Sequence, residues 1–210
     1  MARVGDLAGG PQRPHREDHR RGDERQDPPR LVIGISAASG AIFGVEFVKR
    51  APGEKYLIVS DWGRAVLKME AGLAPGALEP HVKRIYSDKD LASPFASGSN
   101  PFDAFVVIPC SLSTLAKISA GIADTLITRV AQVALKERRR MVLAIRETPL
   151  PTNALENAAR LSREGVVVMP ISPPWYGRPK TVDDVVGGFV DKVLGVLGYG
   201  AGRGWREEDL

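Results

Sequence analysis

Short apolar runs alternate with amphipathic stretches along most of the chain. Five mainly apolar runs span residues 31–35, 56–60, 102–109, 141–145 and 165–170, and a weaker one spans 81–86. Runs of this length predict strands that are buried on both faces. About six alternations of strand and helix predict an α/β fold, a three-layer arrangement around a doubly wound parallel sheet.

The segments between these runs carry helix signals. Helices are predicted at about residues 42–50, 61–70, 124–138 and 153–163, each following a predicted strand or loop. In the 124–138 helix the apolar side chains recur on one side, namely Leu126, Ile127, Val130, Val133 and Ala134. Thr181 and Asp184 form a capping-box pattern that opens a final helix through Leu197.

Composition divides the chain into three parts. Residues 1–30 are rich in Arg, Gly, Pro and acidic groups and poor in large apolar side chains, which predicts a flexible N-terminal extension. Residues 31–199 are expected to form a single domain, followed by a C-terminal tail at 200–210. The net charge of +4 is spread among mixed charges, which is too weak a pattern for nucleic-acid binding.

The cysteine count and the hydropathy of the chain predict the cellular compartment. The single cysteine, Cys110, excludes an intrachain disulfide and is typical of a reducing cytoplasm. No apolar run approaches the ~20 residues of a membrane span, and no apolar core of a signal peptide is present. His15 and His19 lack accompanying metal ligands. A cytoplasmic protein without membrane contact or metal is therefore predicted.

Candidate chemistry lies where the predicted strands end. Arg146 and Glu147 directly follow the 141–145 strand, and Pro149 comes two residues later. Ligands of open α/β sheets bind outside the carboxyl ends of the strands, so this pair is placed for chemistry. A surface ion pair that caps the strand is an equally good interpretation of these two residues alone.

Two strand-to-helix turns are rich in small or hydroxyl residues. Residues 36–41, SAASGA, would let a ligand approach the backbone and leave free helix N–H groups for an anion, although a plain tight turn explains them as well. Ser111, Ser113 and Thr114 supply three hydroxyls where capping needs one, which favours a ligand. Cys110 is interpreted as a core residue because no histidine lies nearby in the sequence.

Two further features allow a binding or a plain surface interpretation. The loop at 90–101 is long and rich in Pro, Ser and Gly, as binding loops often are. Arg129 and Lys136 are seven residues apart on one helix and project from the same face. Alone, this pair and Lys192 on the last helix indicate only a solvated charged surface.

Several long motifs in one order resemble a known family. The motifs are GISAASGAIFG (34–44), LASPFASGS (91–99), PCSLSTLAKISAGIADTLITRVAQVALKERR (109–139), RETPL (146–150), LEN (155–157) and PPWYGRP (173–179). Together they resemble the UbiX-like flavin prenyltransferase family, over residues 31 to about 199. The resemblance implies a Rossmann-like fold of the flavoprotein type. It also implies an enzyme that joins the dimethylallyl group of dimethylallyl monophosphate to N5 and C6 of reduced FMN.

The resemblance assigns roles residue by residue. It implies FMN binding by Ala37, Ala38, Ser39, Ser60, Ser111, Leu112, Ser113, Thr114 and Arg146. It implies binding of dimethylallyl phosphate by Arg129, Lys136, Arg146, Glu147, Tyr176 and Lys192. Proton management around the flavin falls to Ser39, Glu70 and Glu147. The product, prenylated FMN, goes to a separate decarboxylase, and family members form homo-oligomers, often dodecamers, with sites shared between subunits.

The implied chemistry agrees with the residue types. Clustered Arg and Lys side chains can stabilise a departing phosphate without a metal, and the sequence has no DDxxD pattern. Ala37 stands where the family usually has Gly. Lys192 stands where some members have Arg, so the positive charge is kept but the forked pair of N–H donors is lost.

Two other functions stay open. One is a flavoprotein cysteine decarboxylase, which needs a His that residues 36–80 lack, and the other is a non-catalytic FMN carrier.

Overall fold

Six parallel strands form one sheet in the computed structural model, which describes residues 27–200. The strands are β1 (Arg30–Ile35), β2 (Glu54–Val59), β3 (Arg84–Ser87), β4 (Ala104–Cys110), β5 (Arg140–Ile145) and β6 (Val167–Pro170). Their order across the sheet is β3-β2-β1-β4-β5-β6, with every neighbouring pair parallel. The predicted doubly wound sheet is confirmed.

Helices cover both faces of the sheet. They are α1 (Ala41–Arg50), α2 (Asp61–Ala71), α3 (Leu112–Ser119), α4 (Leu126–Lys136), α5 (Thr152–Arg163) and α6 (Val182–Val196), with short 3₁₀ helices at Pro75–His81 and Pro94–Ala96. One core lies between the sheet and α1, α2 and α6, and a second lies between the sheet and α3, α4 and α5. These two cores give the three layers that the alternating pattern predicts.

The predicted helices are present with bounds within two residues, so that the helix predicted at 124–138 spans Leu126–Lys136. All five apolar residues predicted on one side of α4 are buried. The capping box predicted at the start of α6 is present, with reciprocal bonds between Thr181 and Asp184. Just after the C-terminal end of α4, Arg138 adopts a left-handed conformation with φ of 56° and stops the helix.

The third strand lies later in the chain than predicted. β3 spans Arg84–Ser87, whereas His81, predicted to begin the strand, ends a 3₁₀ helix that contains Pro80. The Val82 N–H bonds the Glu79 carbonyl at the end of this 3₁₀ helix and is not available to β2. Pairing with β2 therefore starts only at Lys83, whose N–H bonds the Lys55 carbonyl at 2.7 Å.

The N-terminal boundary differs by one residue, because Arg30 already belongs to β1. The rest of the predicted extension up to residue 26, with His15 and His19, lies outside the described residues, as does the tail from 201 onward. Between residues 27 and 200, no helix has the length and apolar character needed to cross a bilayer.

Parallel strands give the sheet two different edges. All carboxyl ends lie along one edge and all amino ends along the other. A six-residue strand such as β5 separates these edges by roughly 20 Å, at about 3.3 Å per residue. We call them the carboxyl edge and the amino edge.

Candidate active site

A crevice opens at the carboxyl edge between β1 and β4. The chain leaves β1 toward α1 on one face of the sheet and leaves β4 toward α3 on the other. Such a switch point, where the strand order reverses, is where open α/β sheets bind ligands. We define the crevice as residues 36–41, 109–114 and 146–147 together with Glu70.

Ser36 forms the floor of the crevice. Its hydroxyl is buried, donates to the Pro109 carbonyl at 3.0 Å and accepts from the Ser111 N–H at 2.8 Å. One side chain thus ties the exit of β1 to the exit of β4. Sequence analysis assigned Ser36 no role, and its position directly after an apolar strand was the only signal available.

The start of α1 is already occupied by an anion from the protein. Gly40, with φ of 93°, caps the helix, and the N–H groups of Gly40 and Ala41 donate to the Glu70 carboxylate at 2.8 and 2.9 Å. The expectation that these N–H groups are free for a ligand anion is therefore wrong. A helix N-terminus stabilises negative charge, and Glu70 from the end of α2 supplies it.

The surroundings of Glu70 keep its carboxylate ionised. Burial alone would raise its pKa, but the hydrogen bond from Ser39, the two backbone N–H groups and the charge of Arg146 outweigh burial and lower it. Ser39 and Glu70, predicted to act together, thus lie beside each other. An ionised carboxylate at this position can accept a proton.

Arg146 lies over the same turn. Its backbone N–H bonds the Cys110 carbonyl at 3.2 Å, and its Cγ would lie 3.9 Å from a Cβ added to Gly40. The Arg146 side chain is exposed at the mouth of the crevice. Glu147 is also exposed, and its carboxylate accepts from the Thr148 N–H at 3.1 Å. The sheet therefore brings Ser39, Glu70 and the 146–147 pair to one place.

The predicted hydroxyls divide into caps and an exposed group. Ser60 caps α2 by accepting from the Gly63 N–H at 2.9 Å. Ser111 caps α3 by accepting from the Thr114 N–H at 3.2 Å, and the two hydroxyl oxygens lie 3.0 Å apart. Ser113 is exposed, while Leu112 is half-buried beside it. Capping thus accounts for Ser60 and Ser111, and it leaves Ser113 facing solvent.

Small and apolar residues complete the crevice wall. Ala37 is exposed and Ala38 is buried, so only the first methyl group faces outward. Cys110 is fully buried, and burial raises the pKa of its thiol to about 12. This thiol stays protonated at neutral pH, as the interpretation of Cys110 as a core residue requires.

A second concave region lies along α4. The loop at 90–101 and the α4 helix enclose a cleft of about 500 Å³, lined by residues 91–94, 96, 97, 100, 123 and 129. Arg129 reaches across it and donates from Nε to the Ala96 carbonyl at 3.1 Å. We call this region the α4 cleft. The loop predicted to bind a ligand therefore does form a concave surface.

The predicted phosphate ligands do not meet within one chain. Lys136 lies in the last turn of α4, just before β5 starts at the amino edge, whereas Arg146 follows the end of β5. Lys192 also lies toward the amino edge, because its neighbour Asp191 pairs with Arg50 at the end of α1. Tyr176, half exposed, belongs to the segment after β6 at the carboxyl edge.

One buried acid at the carboxyl edge was not predicted. Asp88 follows β3 and accepts from the Ile127 N–H at 2.7 Å, which holds the start of α4. Burial raises its pKa, and the bond from Ile127 only partly offsets this effect. Among residues 27–200, no group of three or more His, Cys, Asp or Glu side chains is arranged to hold a metal ion.

The fold and the crevice define a doubly wound, nucleotide-binding type of α/β protein. The Flavoprotein family matches residues 19–194. The flavin prenyltransferase UbiX of Thermoplasma acidophilum is 44% identical over 172 residues, which cover 81% of this chain and 96% of that relative. The chain belongs to the UbiX-like flavin prenyltransferase family and is an enzyme of that class.

Two solved structures support this membership. AnUbiX (PadA1), crystallised with FMN and dimethylallyl pyrophosphate, is 34% identical with a TM-score of 0.80, over 85% of this chain and 99% of that one. A dodecameric FMN-dependent Ubix-like decarboxylase from Escherichia coli O157:H7 is 38% identical with a TM-score of 0.81, over 84% and 99%.

Proposed function

We propose that this enzyme transfers the dimethylallyl group of dimethylallyl monophosphate to N5 and C6 of reduced FMN. The observation that carries this proposal is the crevice, in which Ser39, Glu70 and Arg146 surround the α1 turn at the switch point of the sheet. The related AnUbiX binds FMN and a dimethylallyl ester, which supports the same pair of ligands here.

The crevice residues fit a flavin nucleotide. Ala37 is exposed and carries only a methyl group, and half-buried Gly40 has no side chain, so a flat ring can approach the backbone here. The exposed side chains of Ser113 and Arg146 can bind phosphate or ring oxygens. FMN, when bound and reduced, supplies the electron-rich ring that accepts the allyl group. Because the N–H groups of Gly40 and Ala41 are taken by Glu70, the FMN phosphate has to be bound elsewhere, and the start of α3 with Ser111, Ser113 and Thr114 is the better position.

Proton transfer is assigned to the two acidic residues of the crevice. Glu70 is kept ionised and bonded to Ser39, so it can accept a proton near N5 through that hydroxyl. Glu147, exposed beside Arg146, is placed to accept the proton lost from C6. Arg146 supplies positive charge next to both carboxylates and to a departing phosphate.

The remaining phosphate ligands are proposed to come from another subunit. Lys136 and Lys192 lie near the amino edge, far from Arg146 of the same chain. A homo-oligomer, which we propose to be a dodecamer as in the Escherichia coli relative, can bring these lysines and Arg129 to a neighbour's crevice.

Three further parts of the proposal go beyond the crevice. The Arg and Lys side chains provide the charge that would otherwise come from a metal, so we propose metal-independent transfer. The prenylated FMN serves a separate decarboxylase. The single buried cysteine suits the reducing cytoplasm, which is the proposed location.

Anaerobic incubation with reduced FMN and dimethylallyl monophosphate tests the proposal. The expected result is a flavin heavier by one dimethylallyl unit, detected by mass spectrometry. Parallel reactions with the diphosphate and with EDTA test the leaving group and the metal independence. An unchanged flavin would indicate a carrier, and carbon dioxide release from a cysteinyl peptide would indicate the cysteine decarboxylase.

A further inference from the structure

We propose that Arg139 is a positioning residue that, together with Gly98, fixes the loop of the α4 cleft and thereby orients Arg129 and Lys136. This inference rests on the proposed function, in which those two side chains bind the phosphate of the allylic substrate. Arg139 itself is not a ligand in this proposal. It acts through the loop that both ligands contact.

The guanidinium of Arg139 is held by three contacts. It donates to the Gly98 carbonyl at 2.7 Å and to the Asn100 carbonyl at 2.9 Å, and it stacks on the Phe102 ring at 4.3 Å. Phe102 is buried in the core on the α3–α4–α5 side of the sheet. The loop is therefore attached to the core through a planar, two-pronged donor that lysine cannot reproduce.

The end of α4 directs Arg139 toward the loop. Arg138 is left-handed, its N–H bonds the Leu135 carbonyl at 3.2 Å, and the Arg139 N–H bonds the Ala134 carbonyl at 2.9 Å. These bonds form a Schellman motif, which reverses the chain after a helix. Arg138 is exposed, whereas Arg139 is half-buried, so two adjacent arginines have different surroundings.

Gly98 couples the loop to Lys136. The Lys136 ammonium pairs with the Glu137 carboxylate at 3.0 Å, and a Cβ added to Gly98 would lie 2.1 Å from that carboxylate and 3.0 Å from the ammonium. Only glycine allows the loop backbone to approach this pair so closely. The position of Lys136 therefore depends on where the loop lies.

Arg129 is bound to the same loop at its other end, through the Ala96 carbonyl. Both proposed phosphate ligands on α4 thus lie against the loop at 90–101, which Arg139 attaches to the core. Releasing the loop would let both side chains leave their positions while the crevice, which the loop does not line, stays intact. The predicted effect is consequently on the phosphate substrate and not on FMN.

Steady-state kinetics of four variants test this inference. In Arg139→Gln the loss of charged hydrogen bonds should raise KM for dimethylallyl monophosphate about tenfold, and Arg139→Lys should show a smaller rise. Gly98→Ala should also raise KM, because the added methyl group displaces the Glu137 carboxylate that pairs with Lys136. The Glu137 side chain is flexible, so the variant should still fold. Arg138→Gln removes a positive charge at the adjacent position, and its KM should match that of the wild type.

Two parallel measurements separate positioning from a general structural role. The Kd for FMN should stay within about twofold of the wild type in each variant. Amide hydrogen exchange of residues 91–100 should speed up in Arg139→Gln while residues 36–41 keep their protection. This exchange readout needs no substrate, so it tests the loop attachment even if the wild type fails to prenylate flavin and the proposed function falls.

Wild-type KM in both Arg139→Gln and Gly98→Ala would overturn the inference. It would also be overturned if FMN affinity fell in step with KM, or if Arg138→Gln had the same effect as Arg139→Gln. Should Arg139→Gln fail to fold, Gly98→Ala and the exchange of its loop decide the question.

Discussion

The crevice and the α4 cleft are built on different principles. The crevice is formed by backbone turns, a buried serine bridge and a carboxylate bonded to a helix start, all within one chain. The α4 cleft lies against a loop whose carbonyls are bonded by exposed Arg129 and half-buried Arg139. This difference is the basis of the proposal that the crevice is complete in each subunit, whereas the cleft supplies ligands to a neighbour's crevice.

Changing the acid at the mouth of the crevice should have the largest effect. Glu147→Gln should retain FMN and lower kcat by roughly 10² to 10⁴, as expected when a general base is lost. Kinetics with saturating dimethylallyl monophosphate and an FMN titration check this prediction. Normal kcat would show that this carboxylate takes no part in the reaction. The assignment of the reaction to the crevice would then lack support.

Mixed assemblies test whether the two regions meet across subunits. Arg146→Ala and Lys136→Ala should each lower activity about 100-fold, since each removes a charged contact to the substrate phosphate. An equal mixture of the two chains, co-expressed with different tags, should recover about a quarter of wild-type activity if each site takes one residue from each of two chains.

The matched control pairs Arg146→Ala with Glu147→Gln, which lie in the same crevice and should not complement each other. Failure of the first pair to complement, in assemblies shown to be mixed, would contradict shared sites.

Removing the floor of the crevice should have a moderate effect. Ser36→Ala leaves the half-buried Ser111 N–H without its partner and should lower the free energy of unfolding by about 1–3 kcal/mol and weaken FMN binding. Chemical denaturation and FMN titration measure both. The control is Ser119→Ala, because the Ser119 hydroxyl is buried without a hydrogen-bond partner among the described residues. Equal behaviour of the two variants would remove the special role of Ser36.

The smallest effect concerns the pH dependence of stability. The pKa of Glu70 is lowered from its ordinary value of 4.5, so its ionised form stabilises the fold above that pH, and this contribution disappears as the pH falls through the lowered value. Glu70→Gln should cost at most about 1 kcal/mol at pH 7, because the side chain is largely exposed to screening by water.

The difference from wild type should vanish in acid, measured by urea denaturation between pH 3 and pH 7. Glu79→Gln, on an exposed 3₁₀ helix, is the matched control for the loss of one surface carboxylate. A cost for Glu70→Gln that persists unchanged in acid would mean that the charge of Glu70 is not what stabilises α1.

Contacts between residues close together in the sequence were predicted correctly. The buried face of α4 and the Thr181–Asp184 capping box were predicted because their partners are three or four residues apart, or because one face of a helix is apolar. Sequence reasoning failed at β3, where a 3₁₀ helix extends through His81, and at α1, where Glu70 comes from 30 residues away. Contacts of that range depend on packing, and local patterns do not encode them.

The sequence by itself determined the alternation of strands and helices, the parallel sheet that follows from it, and the placement of strand exits along one edge. Its motifs also sufficed to identify the family. Only the tertiary structure decided that Glu70 occupies the start of α1, that Arg139 fastens the 90–101 loop, and that Lys136 and Arg146 lie at opposite edges of the sheet. The reason is geometric, because periodicity reports which face a residue takes, whereas distances between segments far apart in the chain are set when the layers pack.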